Sequence, residues 1–432
     1  MGGLRIHPLF AAVIGASLAA TMPARPDAQQ LPAPAVALPA LTLPVVETAQ
    51  VAQGRYLAVL GDCSGCHDRP GGQPYAGGVP LPTPFGTIYS ANITPDRETG
   101  IGAWTAEDFW NAMHRGVRAN GAKLYPAFPY PYFTHVTRPE SDALYAYFRT
   151  VAPASYRPPA NKLPFPLNIR FMVTFWNALN FKEDRAPTTG PSPGEHIVRG
   201  LGHCGACHTP KTLLGGDKAD HALEGGKLDN WFAPALNSDA RTGLGAWSEA
   251  DVAEYLKTGR NARANGSASM ADVITHSTSK MADTDLTGIA AYLKAQPNHA
   301  AAAATPAPDP KVMAIGEAIY VDECSACHAA DGKAAPTYFP PLPGAAVTQS
   351  RDPTTVIRFI LSGTQTVATD ARPTPLSMPS YAWKLNDAQV AAVATYVRNS
   401  WGNAAPAVTA SQVAGLRRKV AAKPVQKPSA SI

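Results

Sequence analysis

The sequence predicts a mainly α-helical protein built from three tandem copies of one small helical unit, joined by proline-rich linkers. Three observations predict it. The pattern C-x-x-C-H occurs three times, as Cys63-Ser64-Gly65-Cys66-His67, Cys204-Gly205-Ala206-Cys207-His208 and Cys324-Ser325-Ala326-Cys327-His328. Each occurrence is closed, further along the chain, by apolar residues repeating near every 3.6 positions, the period of a helix packed on one face. Stretches rich in proline and alanine separate the copies. The composition agrees. Charged residues are 16% of the 432, below the usual ~25%. The 42 prolines are about double the ordinary share. A foldable, loop-rich chain is expected, not a charged disordered polymer. No apolar run reaches the ~18 residues of a spanning helix, which excludes a polytopic membrane protein. The net charge of +5 is weak and dispersed, so no nucleic-acid partner is expected.

Residues 1–28 read as a secretory signal. Arg5 opens it, Pro8 to Ala20 form a short apolar core, and small residues precede Arg25. An uncleaved interfacial helix is the competing reading of the same residues. Residues 31–47 are punctuated by proline and read as extended. The first unit, 48–155, opens with a short helix around Gly54-Arg55-Tyr56-Leu57. It closes with Leu144, Tyr147, Phe148 and Val151, for which Ser141 is the expected cap. Arg157 to Pro166 connects onward. The second unit, 188–296, opens at Gly194-Glu195-His196-Ile197 and closes with Leu286, Ile289, Ala290 and Leu293 behind Thr284. The segments TGIGAWTAEDF (Thr99 to Phe109) and TGLGAWSEADV (Thr242 to Val252) share a register with the cysteines. Each starts a helix with a capping box, Thr105 with Asp108 and Ser248 with Asp251. Gln296 to Pro310 reads as an interdomain linker. The third unit, 311–402, opens at Gly316-Glu317-Ala318-Ile319 and closes with Val390, Val393, Val397 and Trp401 behind Asn386. In the tail, 403–432, Thr409 to Val420 forms a short helix. Val413, Leu416 and Val420 would face inward and Arg417, Arg418 and Lys419 outward, either against a membrane or packed on the third unit. Lys419 to Ile432 is basic and broken by proline.

C-x-x-C-H is the attachment pattern of c-type haem. Two cysteines three apart on a helical turn point the same way, so both can form thioethers to the two vinyl groups on one edge of the macrocycle. The following histidine then faces the iron as proximal ligand. The cofactor prediction is three covalently bound haem c, on Cys63 and Cys66, Cys204 and Cys207, Cys324 and Cys327, with His67, His208 and His328 on iron. A zinc site would join two C-x-x-C pairs or add a distant histidine pair. A thioredoxin-like pair needs a βαβ context. Neither fits. Haem propionates nearly offset the positive charge of the chain, so basic residues read as propionate partners or solvated surface.

Methionine is the usual sixth ligand of an electron-transferring c-type haem. Outside the signal the candidates are Met113, Met172, Met270, Met281, Met313 and Met378. Gly116, Gly259 and Gly363 read as equivalent helix ends. Counted from them, Met270 serves the second haem and Met378, followed by Pro379, serves the third, each presented by the chain ahead of a closing helix. Met281 is the alternative for the second. In the first copy the matching position is Phe128, which cannot bind iron. Met113, His114 or His135, or an open iron, remain for the first haem. His196, His203, His221, His276 and His299 are given no role.

Together with the three C-x-x-C-H units, several segments carry a resemblance. They are TPFGTIYSANITPD from Thr83, LYPA-x-PY from Leu124, KLPFPLNIRF from Lys162, SWGN from Ser400 and VAGLR from Val413. With them the chain resembles the three-haem cytochrome c subunits of bacterial membrane-associated dehydrogenases, over almost the whole mature length. The resemblance implies tandem class I-like cytochrome c domains in the periplasm, peripherally bound at the outer face of the cytoplasmic membrane. It implies a catalytic dehydrogenase partner using flavin, PQQ or molybdenum, and electron delivery to ubiquinone or a terminal oxidase. The departure is Phe128, where the alcohol-dehydrogenase members place a methionine; the phenylalanine form is closer to the cytochromes of molybdenum hydroxylases. An electron-transfer subunit, not catalytic alone, is the first reading. Two others compete: a peroxidase-like enzyme using an open first haem, and a free periplasmic shuttle.

Overall fold

A computed structural model describes residues 47–190, 192–228, 230–298, 305–335 and 338–421. The signal of 1–28, the extended lead-in up to residue 46 and the end of the basic tail lie outside them.

The first copy runs α1 (Ala49–Leu60), α2 (Cys63–His67), hairpin β1 (Pro80–Thr83) and β2 (Gly86–Tyr89), α3 (Ala106–Arg115), α4 (Tyr130–Phe133) and α5 (Arg138–Phe148). Helix α6 (Met172–Asn180) leads to the second copy. That copy has α7 (Pro193–Arg199), α8 (Gly205–His208), strands β3 (Gly226–Leu228) and β4 (Trp231–Ala233), then α9 (Glu249–Thr258), α10 (Ser269–His276) and α11 (Asp283–Lys294). The third has α12 (Pro310–Glu323), α13 (Ser325–His328), α14 (Ala346–Gln349), α15 (Thr354–Ser362), short strands β5 (Thr364–Gln365) and β6 (Ser377–Met378), and α16 (Asp387–Val397); α17 (Ala410–Ala421) follows. The strands form three antiparallel pairs, Leu81 opposite Ile88, Lys227 opposite Phe232 and Thr364 opposite Met378. The fold is mainly helical, as expected.

In every copy the opening helix crosses the closing helix at its glycine. A Cβ on Gly54 would sit 1.9 Å from the Ala143 carbonyl of α5, one on Gly194 1.9 Å from Gly288 of α11, and one on Gly316 2.3 Å from Ala392 of α16. Gly54 and Gly316 lie inside their helices and Gly194 in the first turn of α7: the missing side chain is what lets two backbones touch. The attachment turn follows directly on the opening helix, because α1 ends just before Cys63.

The capping boxes form as expected at Thr105 with Asp108 and Ser248 with Asp251. Helices α3, α9 and α15 end at Gly116, Gly259 and Gly363, all with positive φ, and Asn386 caps α16 with Gln389. Two expected caps are corrected. Ser141 is inside α5, which begins a turn earlier from a Thr137–Glu140 box with Pro139 in its first turn. Thr284 is inside α11, whose boundary residue is Ala282. Apolar periodicity marks the buried face of a helix but not its first residue.

Leu57, Phe109 and Leu144 of the first copy share one continuous core with Ile197, Leu286 and Leu293 of the second. The third has a separate core around Tyr320, Ile357, Val390 and Val393. Helix α17 packs on the latter through Val413 and Leu416, with Val420 beside them. Arg417 does not face outward as expected: it bonds Asp387 and donates to the carbonyls of Ala382 and Leu385 at 2.7 Å each. No helix among the described residues is long and apolar enough to cross a membrane.

Candidate haem sites

Each C-x-x-C-H is itself a helical turn, so the sulfurs three residues apart fall on one side. The first turn is entered through Asp62, whose φ of 49° bends the chain out of α1. None of the six cysteines is paired with another in a disulfide. Burial pushes the thiols of Cys63, Cys66, Cys204, Cys207 and Cys324 upward, which keeps them protonated at neutral pH. Cys66 and Cys207 line the same cavity.

The histidine after each pair is oriented by a backbone carbonyl. His67 Nδ1 donates to Ala91 at 2.6 Å and His208 Nδ1 to Pro234 at 2.7 Å. His328 faces the Pro340 carbonyl, with its Nδ1 outside hydrogen-bond geometry. A proton fixed on Nδ1 leaves the Nε2 lone pair free, which is how ligating histidines are aimed. Burial lowers His67 to about 4 and also lowers His208 and His328, so the neutral, iron-binding form prevails at pH 7.

A continuous cavity of about 2900 Å³ runs past Cys63, Cys66 and His67, along Cys207, to Met378. Its walls include Ile93, Phe109, Leu144 and Phe148. At the first turn, two thiols on one side, an imidazole with Nε2 unbonded and an apolar slot next to both are what covalent haem requires, so Cys63, Cys66 and His67 fit the group. Among the described residues no cluster of His, Cys, Asp and Glu has metal-site geometry, which leaves the zinc alternative without support.

The candidate sixth ligands are placed differently. Met113 is buried on α3 and lines the cavity, as does Phe128, whose ring meets Phe133 edge-on at 5.3 Å. His114 and His135 turn away: His114 stacks on Trp110 and faces Glu183 at 3.5 Å, and His135 bonds Asp184 at 2.8 Å. Met378 lies on β6 and lines the cavity. Met270 is not in a loop but in the first turn of α10; its neighbours Ser269 and Ala271 line the cavity. Met281 is buried in the shared core. His196 bonds Glu140 at 2.8 Å, tying the first copy to the second. The carbonyls of Ala91, Pro234 and Pro340 were missed by sequence reasoning. Each stands two residues before Ile93, Leu236 or Leu342, a pattern that becomes visible only when the copies are superposed.

Comparison with known proteins adds an independent line. The family described as "Cytochrome c" matches residues 313–401. The gluconate 2-dehydrogenase cytochrome c subunit of Pantoea cypripedii is 41% identical over 399 residues, 86% of this chain and 90% of the relative. The alcohol dehydrogenase (quinone) cytochrome c subunit of Gluconacetobacter polyoxogenes is 38% identical over 399 residues, 87% and 85% of the two chains. The fructose dehydrogenase cytochrome subunit of Gluconobacter japonicus is 34% identical over 403 residues, 85% and 82%.

Proposed function

The chain belongs to the cytochrome c subunits of dehydrogenase complexes, and on that premise we propose that it is a three-haem electron-transfer subunit, one haem c in each of the units 48–155, 188–296 and 311–402. It accepts electrons from a catalytic dehydrogenase subunit carrying flavin, PQQ or molybdenum and passes them to ubiquinone or a terminal oxidase. Haem c, when bound, supplies a one-electron iron couple. The chain's residues do the rest. Cys63 and Cys66, Cys204 and Cys207, and Cys324 and Cys327 hold the macrocycles. His67, His208 and His328 present Nε2. Met113, Met270 and Met378 would supply a sulfur ligand. The observation that supports this reading is the repeated one: in each copy the C-x-x-C-H turn follows an opening helix whose glycine crosses the closing helix, and its histidine faces a carbonyl. The apolar stretch of 1–28 supports export to the periplasm, and peripheral contact with the outer face of the cytoplasmic membrane follows from the partner class.

The decisive experiment is haem stoichiometry on protein exported with its maturation machinery. Three covalent haems per chain are expected; fewer, or none, refutes the proposal. Copurification with a large flavin, PQQ or molybdenum subunit is expected and would exclude a free shuttle. Phe128 favours a second reading, a peroxidase-like first haem with an open position. Rapid cyanide or carbon monoxide binding to one haem in three supports it, and three low-spin haems in both oxidation states eliminate it.

A further inference from the structure

Helix α6 buries one side chain, Val173. Beside it the half-buried Asn177 accepts from the Tyr130 hydroxyl at 2.5 Å, and the Trp176 ring N–H donates to the Leu214 carbonyl at 2.8 Å. Its outer side carries Phe175 and Leu179, with Phe171 one residue before its start, at 54%, 73% and 66% exposure. These three are spaced four apart and form one stripe, the reverse of a solvated surface helix. The Leu213-Leu214 turn, tied to α6 by that Trp176 bond, adds side chains 98% and 54% exposed, and Phe165 before the helix is 80% exposed. Of the twelve large apolar side chains exposed among the described residues, eight lie in 165–179 and 213–214. Monomeric surfaces rarely gather so many in one place without a partner.

The charge around this patch identifies the partner. From residue 143 to 182 the chain has five Lys or Arg and no Asp or Glu. Arg170 is held at the patch edge, stacked on Tyr125 at 4.8 Å and donating to the Lys123 carbonyl. The carboxylates just beyond are internally satisfied: Glu183 by Arg115, Asp184 by His135 and Asp217 by Lys211. An apolar, aromatic stripe with a rim of cations and no free acid complements an anionic lipid surface, where rings sit at the headgroup level and Lys or Arg meet phosphate.

We infer that α6, the segment before it and the Leu213-Leu214 turn are the face that seats this protein on the membrane, in place of the C-terminal helix α17. The inference rests on the electron-transfer reading and gives it an orientation. Leu163, Trp176 and Leu214 also line the continuous cavity onto which Cys63, Cys66 and His67 open, so the patch borders the haem cavity.

The test is flotation of the full-length, haem-loaded protein with vesicles of phosphatidylglycerol and phosphatidylethanolamine, against vesicles of phosphatidylcholine. Preferential, salt-weakened binding to the anionic vesicles is expected. The double substitution Phe171→Glu and Phe175→Glu lowers the partition coefficient by about tenfold or more, as does Phe165→Ser with Leu179→Ser, two exposed side chains that do not line the haem cavity. Trp383→Ser, at an equally exposed site on the third copy, leaves it unchanged. Equal binding of all variants, or none by the parent, overturns the inference. So does loss of the catalytic subunit from the patch variants with vesicle binding intact, which would make the patch a protein interface. Haem content and reduction by the catalytic subunit in detergent are read on the same samples: their failure in the parent strikes the electron-transfer reading, whereas their persistence in a parent that does not bind vesicles strikes only the membrane face.

Discussion

Substituting Gly54 by alanine isolates the contact that organises each copy. Within a helix, glycine to alanine is worth roughly 1 kcal/mol of added stability. Here the new methyl would stand 1.9 Å from the Ala143 oxygen, 2.5 Å from its carbonyl carbon and 2.9 Å from Tyr147 Cβ. Real Cβ contacts do not fall below 3.0 Å, so α1 must retreat from α5 by about 1 Å. The obstacle is backbone, with no flexible side chain to give way. Overpacking of this kind costs about 1–3 kcal/mol, enough to reverse the helix gain. Gly415 supplies the internal control, because it lies in α17 and a methyl placed there would meet nothing within 4 Å. Gly415→Ala therefore stabilises by about 0.5–1 kcal/mol. The assay is urea unfolding of the haem-loaded protein followed by far-ultraviolet circular dichroism. Gly54→Ala moves the midpoint down and Gly415→Ala moves it up or leaves it level. If Gly54→Ala matched or exceeded the parent, the helices would not touch at this glycine, and the attachment turn would have to be held in some other way.

The remaining expectations address other links. Thr105→Ala and Ser248→Ala each remove a capping box and lose about 1 kcal/mol in the same titration, with Thr105→Ser restoring most of it. Tyr56→Phe deletes a hydroxyl that donates to Asp285 and accepts from the Ala282 N–H at 2.9 Å; thermal unfolding should show a loss of about 1 kcal/mol. Burial pushes the Glu140 carboxyl upward, but the bonds from His196 and Thr137 outweigh it and hold the group below its usual range. A lowered folded-state value means its stabilisation is complete above the ordinary glutamate range and is lost as pH falls through the folded value. Glu140→Gln is therefore destabilising by about 1 kcal/mol at pH 7 and indistinguishable from the parent in strong acid, as denaturant midpoints across pH will check. In hydrogen exchange, the Val367 amide, bonded to the Gly266 carbonyl, opens before amides in the middle of α5 and α11; the opposite order would contradict the two-core description.

What can be read from the chain is local. The C-x-x-C-H turns, the glycines ending α3, α9 and α15, and the boxes at Thr105 and Ser248 each depend on a few consecutive residues, and each stands where expected. What escapes depends on distant partners. Gly54 marks a helix start in the sequence, but its role is set by Ala143, 89 positions later. Ser141 looks like a cap because the Thr137–Glu140 box lies a turn before the apolar repeat begins. Arg417 looks like surface charge until Asp387 and two carbonyls are found around it. Helix α6 shows apolar content, but only its partners Tyr130 and Leu214, which hold Asn177 and Trp176, reveal that Phe175 and Leu179 face out. Ala91 and Pro234 contribute only backbone oxygens, which any residue can supply, so no side chain announces them.

The two joints between the copies differ in kind, and that difference bears on how an electron carrier of this design is held together. Between the first and second, Leu57 and Leu144 meet Ile197 and Leu286 in one core, and the polar links of Tyr56 to Asp285 and His196 to Glu140 ride on its edge. Between the second and third the links are mixed: the Trp231 and Phe359 rings meet at 5.3 Å and the buried Val367 packs on Gly259, beside hydrogen bonds of Phe232 with Thr355 and of Asn265 with the Tyr338 carbonyl and the ion pair of Lys227 with Asp352 at 2.7 Å. Apolar burial persists in high salt, whereas a partly exposed ion pair is screened. The first two attachment turns are accordingly spaced by the packing of one core, and Cys66 and Cys207 line one cavity. The third copy keeps its own core and is docked by rings and a buried valine as well as by polar links, so high salt removes the contribution of Lys227 with Asp352 and leaves the docking itself in place.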